Sequence, residues 1–311
     1  MATTGSVDLP DRVRVREVGP RDGFQNEPEA IPTPDKIRLI DALARTGLRR
    51  VEVGSFVRAD VIPQLADGAE VLAGISIPDG VDVAVLVPNQ RGWEAALPHK
   101  ERFDEVIVFL SASETHNQKN INRPIADSLK TVEALLPQIA EAGLRPLASI
   151  ATSFGCPYEG HVDPERVIEL ARAMAAAGAR EISFGDTTGM ANPRQVRAFY
   201  ERALDELPDV ELTAHFHNTR GQGLANALAA LEAGVTSFES SFGELGGCPV
   251  PPGSTGNIAT EDLISMLHEM GVDTGVDLAA LLEASRDVQR VLGRPLGSHL
   301  LTAGPVQWHD A

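Results

Sequence analysis

His215 and His217 are separated by a single residue in the run His215-Phe216-His217-Asn218. Residues two apart on a strand leave the same face, so two imidazoles so spaced can converge on one cation. A carboxylate and an amide carbonyl would complete a mixed nitrogen and oxygen set, suited to Mg2+ or Mn2+ rather than to a thiolate zinc site. Asp22, in GPRDGFQNE, and Asn257, at the end of GELGGCPVPPGSTGN, are the residues available to supply them. Arg21 and Gln25 lie beside Asp22, while Glu52, Asp186 and Thr187 sit in other short apolar runs, and Cys248 follows Gly246 and Gly247. Each has a plainer reading. Histidines at this spacing also serve as hydrogen-bonded packing residues; Asp22 suits a turn before Gly23, and Asn257 suits a helix N-cap ahead of ATEDL. Arg21 can pair structurally with Glu17 or Glu52. A free cysteine such as Cys248 or Cys156 is most often an inert buried residue.

Residues this far apart in sequence need a scaffold that gathers strand ends. Short β-rich apolar runs alternate with longer helical patterns along the chain. The strand candidates are VRVREVG from Val13, RRVEVGSF from Arg49, VDVAVLVP from Val81, DEVIVFLSAS from Asp104, RPLASIATSF from Arg145, REISFGDTTG from Arg180, VELTAHFHN from Val210 and TSFESSFGEL from Thr236. Between them lie helical patterns such as Pro34 to Gly47, Ile125 to Gly143 and Pro164 to Gly178, several ending on a glycine suited to a left-handed C-cap. Strict alternation of eight such units predicts an α/β fold, a closed parallel (β/α)8 TIM barrel. In that fold the C-terminal strand ends form the active face. Arg21, Asp22 and Gln25 then follow strand one, Asp186 and Thr187 end strand six, and the histidines end strand seven.

From about Asp273 onward the pattern VDLAALLEASRDVQRVLG has no strand of its own and predicts an extra C-terminal helix on the barrel. The expected organisation is a flexible N-terminus at 1–12, one barrel domain with its added helix at 13–293, and a C-terminal tail at 294–311.

With 27 Lys and Arg against 44 Asp and Glu, the formal net charge of −17 disfavours nucleic acid and anionic membranes as partners. No run reaches the roughly 20 apolar residues that span a bilayer, and MATTGSVDLPDR lacks the basic and apolar regions of a secretory signal. A cytoplasmic enzyme is the expectation, with a homo-oligomer left open. Two cysteines give neither a disulfide framework nor a thiolate cluster.

At these residues the chain resembles the 3-hydroxy-3-methylglutaryl-CoA lyase family of metal-dependent barrels, from about Val13 to about Gly293. The markers are EVGPRDGFQNE (Glu17 to Glu27), GCPYEG (Gly155 to Gly160), GDTTG (Gly185 to Gly189), HFHNTRGQGLAN (His215 to Asn226) and GGCP with GNIATEDL (Gly246 to Leu263). The resemblance implies a divalent metal held by Asp22, His215, His217 and Asn257, and an acyl-CoA thioester as substrate. It implies that Arg21 contacts the thioester carbonyl and that Cys248 belongs to a glycine-rich catalytic loop. Glu52 and Asp186 match acidic positions in or beside the catalytic shell, and Gln25 and Thr187 are expected to meet substrate. The implied reaction is cleavage of 3-hydroxy-3-methylglutaryl-CoA to acetyl-CoA and acetoacetate, with leucine degradation as the family's setting. The metal would polarise the 3-hydroxyl, His215 would shuttle its proton, and Arg21 would stabilise the enolate.

The chain departs from the family's pattern at a few positions. Asn218 stands where relatives carry Asp after HxH, Val250 and Pro251 follow GGCP, Glu244 interrupts the usual Gly-Leu-Gly-Gly approach, and Pro28 replaces a lysine of some relatives. None removes a candidate ligand or Arg21, so these changes bear on the acyl group rather than on the reaction type. The competing readings are a lyase for another branched 3-hydroxyacyl-CoA, such as citramalyl-CoA or a longer 3-substituted glutaryl-CoA, and a Claisen-type synthase. The synthases share the Arg-Asp pair and often HxHN, but carry a Gly-Glu-Arg-type segment in place of GGCP. A catalytically dead scaffold would have lost a ligand or Arg21.

Overall fold

Alternation along each apolar run puts one set of side chains into the barrel and the other against the surrounding helices, and a valine-rich outer set closes the sheet. The computed structural model describes residues 9–247 and 256–308. Its strands are β1 (Arg14–Glu17), β2 (Arg50–Ser55), β3 (Asp82–Leu86), β4 (Glu105–Ser111), β5 (Arg145–Ala151), β6 (Gly155–Cys156), β7 (Gly160–His161), β8 (Glu181–Asp186), β9 (Glu211–Phe216) and β10 (Ser237–Ser240). All but β6 and β7 close a parallel barrel in the order β1-β10-β9-β8-β5-β4-β3-β2. The (β/α)8 expectation holds. Strands β6 and β7 form a small antiparallel hairpin over residues 155–161 that apolar patterning did not signal, because each strand is only two residues long.

The helices are α1 (Thr33–Ala44), α2 (Gly68–Gly74), α3 (Gln90–Ala96), α4 (Glu114–Ile121), α5 (Ile125–Glu141), α6 (Pro164–Ala176), α7 (Pro193–Glu206), α8 (Gly223–Glu232), α9 (Thr260–Glu269), α10 (Leu278–Leu292) and α11 (His299–Ala303). Gly47, Gly143 and Gly178 take φ of 92°, 85° and 106° just past their helices, the left-handed stop read from the sequence. The extra C-terminal helix is α10, started by Asp277, whose carboxylate accepts from the amides of Ala279 and Ala280. Residues beyond it, up to 308, fold back. Arg294 pairs with Glu27 at 2.6 Å, Leu296 is buried, and Asp262 accepts from Ser298 and from the amides at the start of α11. An apolar leucine and buried charge partners give this segment the contacts that its sequence alone did not reveal.

The main apolar core lies between barrel and helices, while Ala84, Ile107 and Leu147 form a small separate cluster inside the barrel. The rest of the barrel floor is charged. Arg16 reaches Glu105 at 3.1 Å, Glu181 at 2.9 Å and Glu239 at 2.5 Å, and Arg50 reaches Glu105 at 2.7 Å. These groups are out of water, so each charge must be compensated by a partner. The arrangement fixes Glu239 from below, with Arg16 opposite it in the β1/β10 register and His215 opposite it in the β10/β9 register. No helix among the described residues is long and apolar enough to cross a membrane.

Candidate active site

The sequence between β1 and α1 does not turn sharply at Asp22. Gly19–Gly23 forms one turn of π-helix, a feature often found at functional sites, and it directs Arg21 and Asp22 toward the barrel mouth. Across the mouth, His215 ends β9, and His217 and Asn257 pair as an isolated antiparallel bridge. Asn257 is therefore not a helix cap; Ala259 occupies the cap position of α9.

Asp22, His215 and His217 each present a ligand atom within 4.8 Å of the others. The Nε2 atoms of the two histidines lie 3.1 Å apart. That separation matches adjacent vertices of an octahedron of metal-ligand bonds about 2.1 Å long, roughly 3 Å. Asn257 Nδ2 donates to Asp22 Oδ2 at 2.6 Å, which leaves Asn257 Oδ1 buried with no hydrogen-bond partner among the described residues. His217 Nδ1 is likewise buried and unpartnered among them. An orphaned Asn257 carbonyl oxygen beside a carboxylate is what a cation would satisfy, and with the Nε2 atoms of the two histidines the donor set fits a divalent ion. Gly246, at φ 95°, lies so close that a Cβ there would meet Asn257 Nδ2 at 2.5 Å and Asp22 Oδ2 at 2.9 Å. Only glycine fits against the pair.

The electrostatics favour ligation. Burial and the neighbouring His215 push His217 down to about 3, so it is neutral at ordinary pH. Burial would raise Asp22, but Arg21 and the histidines outweigh it and hold the carboxyl below its usual range. His215 is raised, its burial outweighed by the bond from Nδ1 to Glu239 Oε2 at 3.0 Å. Glu239 resists its own burial and stays ionised through His215, Arg16 and Ser183. A carboxylate behind a histidine fixes its tautomer and leaves Nε2 to face the site.

Arg21 has the partner that the structural reading of the sequence offered. Its Nε and Nη2 donate to the two oxygens of Glu52 at 2.7 and 2.8 Å, and Nη1 donates to Asp22 Oδ1 at 2.8 Å. Glu52 is fully buried and fixes the guanidinium plane, while the remaining N–H bonds of Nη1 and Nη2 have no partner among the described residues and are available to a substrate oxygen. Glu17 does not pair with Arg21; it accepts from the amides of Gly19 and Phe242 and from the Thr260 hydroxyl. Gln25 donates to Asp22 Oδ1 at 2.7 Å. Asp186 accepts from the amides of Met190 and Ala191 and is pushed up to about 6 by burial; it braces the turn after β8 rather than lining the cavity. Thr187 does line it, and its Oγ1 accepts from the Thr152 amide. Cys248 lies outside the described residues. Cys156 is buried, with its sulfur taking the Ser113 hydroxyl at 3.0 Å, which is the inert role expected of it.

The cavity over these groups measures about 590 Å³. Its polar wall includes Arg21, Asp22, His215, His217 and Glu239. Opposite lie Leu86, Ile107 and Phe109, beside the small residues Ser149, Ala151 and Gly185. Glu239 and the apolar wall were missed by reading motifs. Counting alternate residues along β10 and β4 would have placed them inside the barrel.

The chain is similar over nearly its whole length to several named proteins. The hydroxymethylglutaryl-CoA lyase YngG of Bacillus subtilis is 48% identical over 292 residues, covering 94% of this chain and 97% of that protein. The 3-hydroxy-3-isohexenylglutaryl-CoA/hydroxy-methylglutaryl-CoA lyase of Pseudomonas aeruginosa is 44% identical, covering 96% and 98%. The crystal structure of an HMG-CoA lyase from Acinetobacter baumannii, in complex with coenzyme A and 3-methylmalate, superposes with a TM-score of 0.90 at 40% identity, covering 99% of this chain and 100% of that one. The HMGL-like family model matches residues 12–288, and the chain belongs to that family.

Proposed function

We propose that this chain is a hydroxymethylglutaryl-CoA lyase that cleaves 3-hydroxy-3-methylglutaryl-CoA to acetyl-CoA and acetoacetate with a divalent cation, Mg2+ or Mn2+. The observation that carries the reading is the convergence of Asp22, His215 and His217, with Asn257 Oδ1 unpartnered among the described residues, beside an Arg21 held in plane by Glu52. Relatives of 48% and 44% identity bear the names of such lyases, and a third is bound to coenzyme A.

Asp22, His215, His217 and Asn257 are the residues that would hold the ion. Bound there, the ion would supply Lewis-acid polarisation of the substrate's 3-hydroxyl. His215 has one lone pair facing the site, at Nε2, because Nδ1 is committed to Glu239. On the resemblance His215 is the candidate to take the hydroxyl proton at Nε2, and in that role Asp22, His217 and Asn257 would be the residues holding the ion. As the C3–O bond becomes a ketone, the bond between C2 and C3 breaks and its electron pair passes to the thioester enolate. The free N–H bonds of Arg21 meet the enolate oxygen, whose charge grows only as that bond breaks. Protonation at C2 completes acetyl-CoA; Cys248, on the resemblance, is the candidate for that step. Gln25 and Thr187 are assigned to substrate contact at the cavity wall.

Leu86, Ile107 and Phe109 favour a second reading of the acyl group. An apolar wall beside small residues can take a 3-substituent longer than methyl, as the name of the Pseudomonas aeruginosa relative implies for that enzyme. The deciding experiment is to incubate the purified protein with 3-hydroxy-3-methylglutaryl-CoA, with and without Mg2+ or Mn2+, and follow acetoacetate. Release that requires the cation and stops with EDTA is expected. No release with either cation, or full turnover in EDTA, would remove the proposal.

A further inference from the structure

Glu244 and Asn218 are both departures from the family's pattern, and the fold brings them together. Asn218 Nδ2 donates to Glu244 Oε1 at 2.6 Å. The amide orientation is set by its other end, since Asn218 Oδ1 accepts from the Gly223 amide at 3.2 Å. Glu244 takes φ of 64°, a left-handed conformation that a side chain disfavours, so surrounding contacts must hold it there. Its carboxylate lies where Gly297 leaves room; a Cβ at 297 would stand 2.2 Å from Glu244 Oε2.

Both ends of this contact are joined to the candidate ligands. Asn218 follows His217, and its own amide donates to Gly256 O at 2.9 Å. Glu244 precedes Leu245, whose carbonyl accepts from the Asn257 backbone amide at 3.2 Å and from Asn257 Nδ2 at 3.0 Å. The contact thus ties the segment just after β9, which carries His217, to the segment that orients the Asn257 side chain.

We infer that Glu244 is a positioning residue which, through Asn218, fixes Asn257 against Asp22 and His217 before the cation binds. The inference rests on the metal-site reading above. An aspartate at 218 would turn an oxygen toward the Glu244 carboxylate, so asparagine at 218 is matched to glutamate at 244.

The test compares Glu244→Gly, Glu244→Gln and Asn218→Asp with the parent, measuring Mn2+ affinity by calorimetry, melting temperature, and kcat and KM. Glycine accepts φ of 64° freely, so Glu244→Gly should melt no lower than the parent. It should nonetheless bind Mn2+ at least about tenfold more weakly, the usual effect of losing an outer partner of a ligand, and kcat should fall more than KM rises. Glu244→Gln keeps an acceptor for Asn218 and should stay within about threefold of the parent, at most about half of that effect in free energy. Asn218→Asp should fall with Glu244→Gly, and the double variant Asn218→Asp/Glu244→Gly should recover part of the loss of Asn218→Asp. Parent-like Mn2+ affinity in Glu244→Gly would overturn the inference alone. A parent that binds no Mn2+ would overturn the metal-site reading and the inference with it.

Discussion

Glu239 stands directly behind His215: its Oε2 lies 3.0 Å from the ring's Nδ1, and its Oε1 takes Arg16 Nη1 at 2.5 Å from the charged floor of the barrel. A candidate ligand histidine is thereby connected to the buried ion network in the barrel floor. Glu239→Gln keeps the shape but removes the charge that makes His215 a strong donor. Mn2+ affinity should drop about 10- to 100-fold. Arg16 keeps Glu105 and Glu181, so the far-ultraviolet circular dichroism should remain that of the parent. Calorimetric titration checks the first outcome, and an unchanged affinity would show that Glu239 serves the floor alone.

Glu17 provides a pH signature. Burial pushes it from the ordinary 4.5 up to about 8, despite the donors that face it. Because the folded chain holds this proton more tightly than the unfolded chain, the contribution is largest at low pH. Stability is lost as pH rises from about 4.5 through about 8, by at most about 1.4 kcal/mol per pH unit from one such proton. Glu17→Gln has no charge to bury. The melting temperature of the parent should therefore decline relative to that of Glu17→Gln between pH 5 and pH 8, a range of roughly the width such linkage requires. Parallel curves would mean that Glu17 is ionised at no cost.

Much of the architecture was legible because it rests on periodicity. Alternation in VELTAHFHN put His215 and His217 on the inner face, and the glycines at 47, 143 and 178 marked helix ends through their φ. Asp22 and Asn257 were legible through the motifs around them rather than through any local rule, since Asp22 lies on a π-turn that no spacing announces. The pairings of Glu239 and Glu244, and the helix α11, were not legible. Each draws its meaning from a partner more than twenty residues away, namely His215, Asn218 and Asp262. A one-dimensional pattern does not encode such pairings. Asp186 shows the reverse: its motif suggested chemistry, while its carboxylate is spent on the Met190 and Ala191 amides.

Arg21→Lys tests the enolate contact. Lysine can reach either Glu52 or the substrate, whereas the guanidinium holds Glu52 with Nε and Nη2 and still has donors left over. Turnover should fall by about 10²-fold or more, with a much smaller change in KM, because the lost donor acts on charge that develops during bond breaking. Single-turnover kinetics with saturating cation would separate this from product release. Near-parental turnover would move the thioester away from Arg21.

The last prediction concerns the apolar wall. Leu86, Ile107 and Phe109 face the cavity together with Ser149, Ala151 and Gly185, whose small side chains leave space between the wall and the histidines. If the 3-substituent of the substrate enters there, each methylene it buries contributes about 0.8 kcal/mol, close to fourfold in binding. A series of 3-hydroxy-3-alkylglutaryl-CoA thioesters should then hold or gain kcat/KM as the alkyl group lengthens from methyl, until the space is filled. Ala151→Val fills part of that space with a side chain that suits a strand. It should leave cleavage of the methyl substrate within a few-fold and reduce that of a pentyl analogue by about tenfold, the scale on which one or two methylenes discriminate in an apolar pocket. The ratio of the two kcat/KM values, measured on parent and variant with the same cation, is the decisive quantity. An equal loss for both substrates would mean general damage to the site. No loss for either would place the alkyl group elsewhere, and the wall would then serve the barrel's packing rather than its choice of acyl chain.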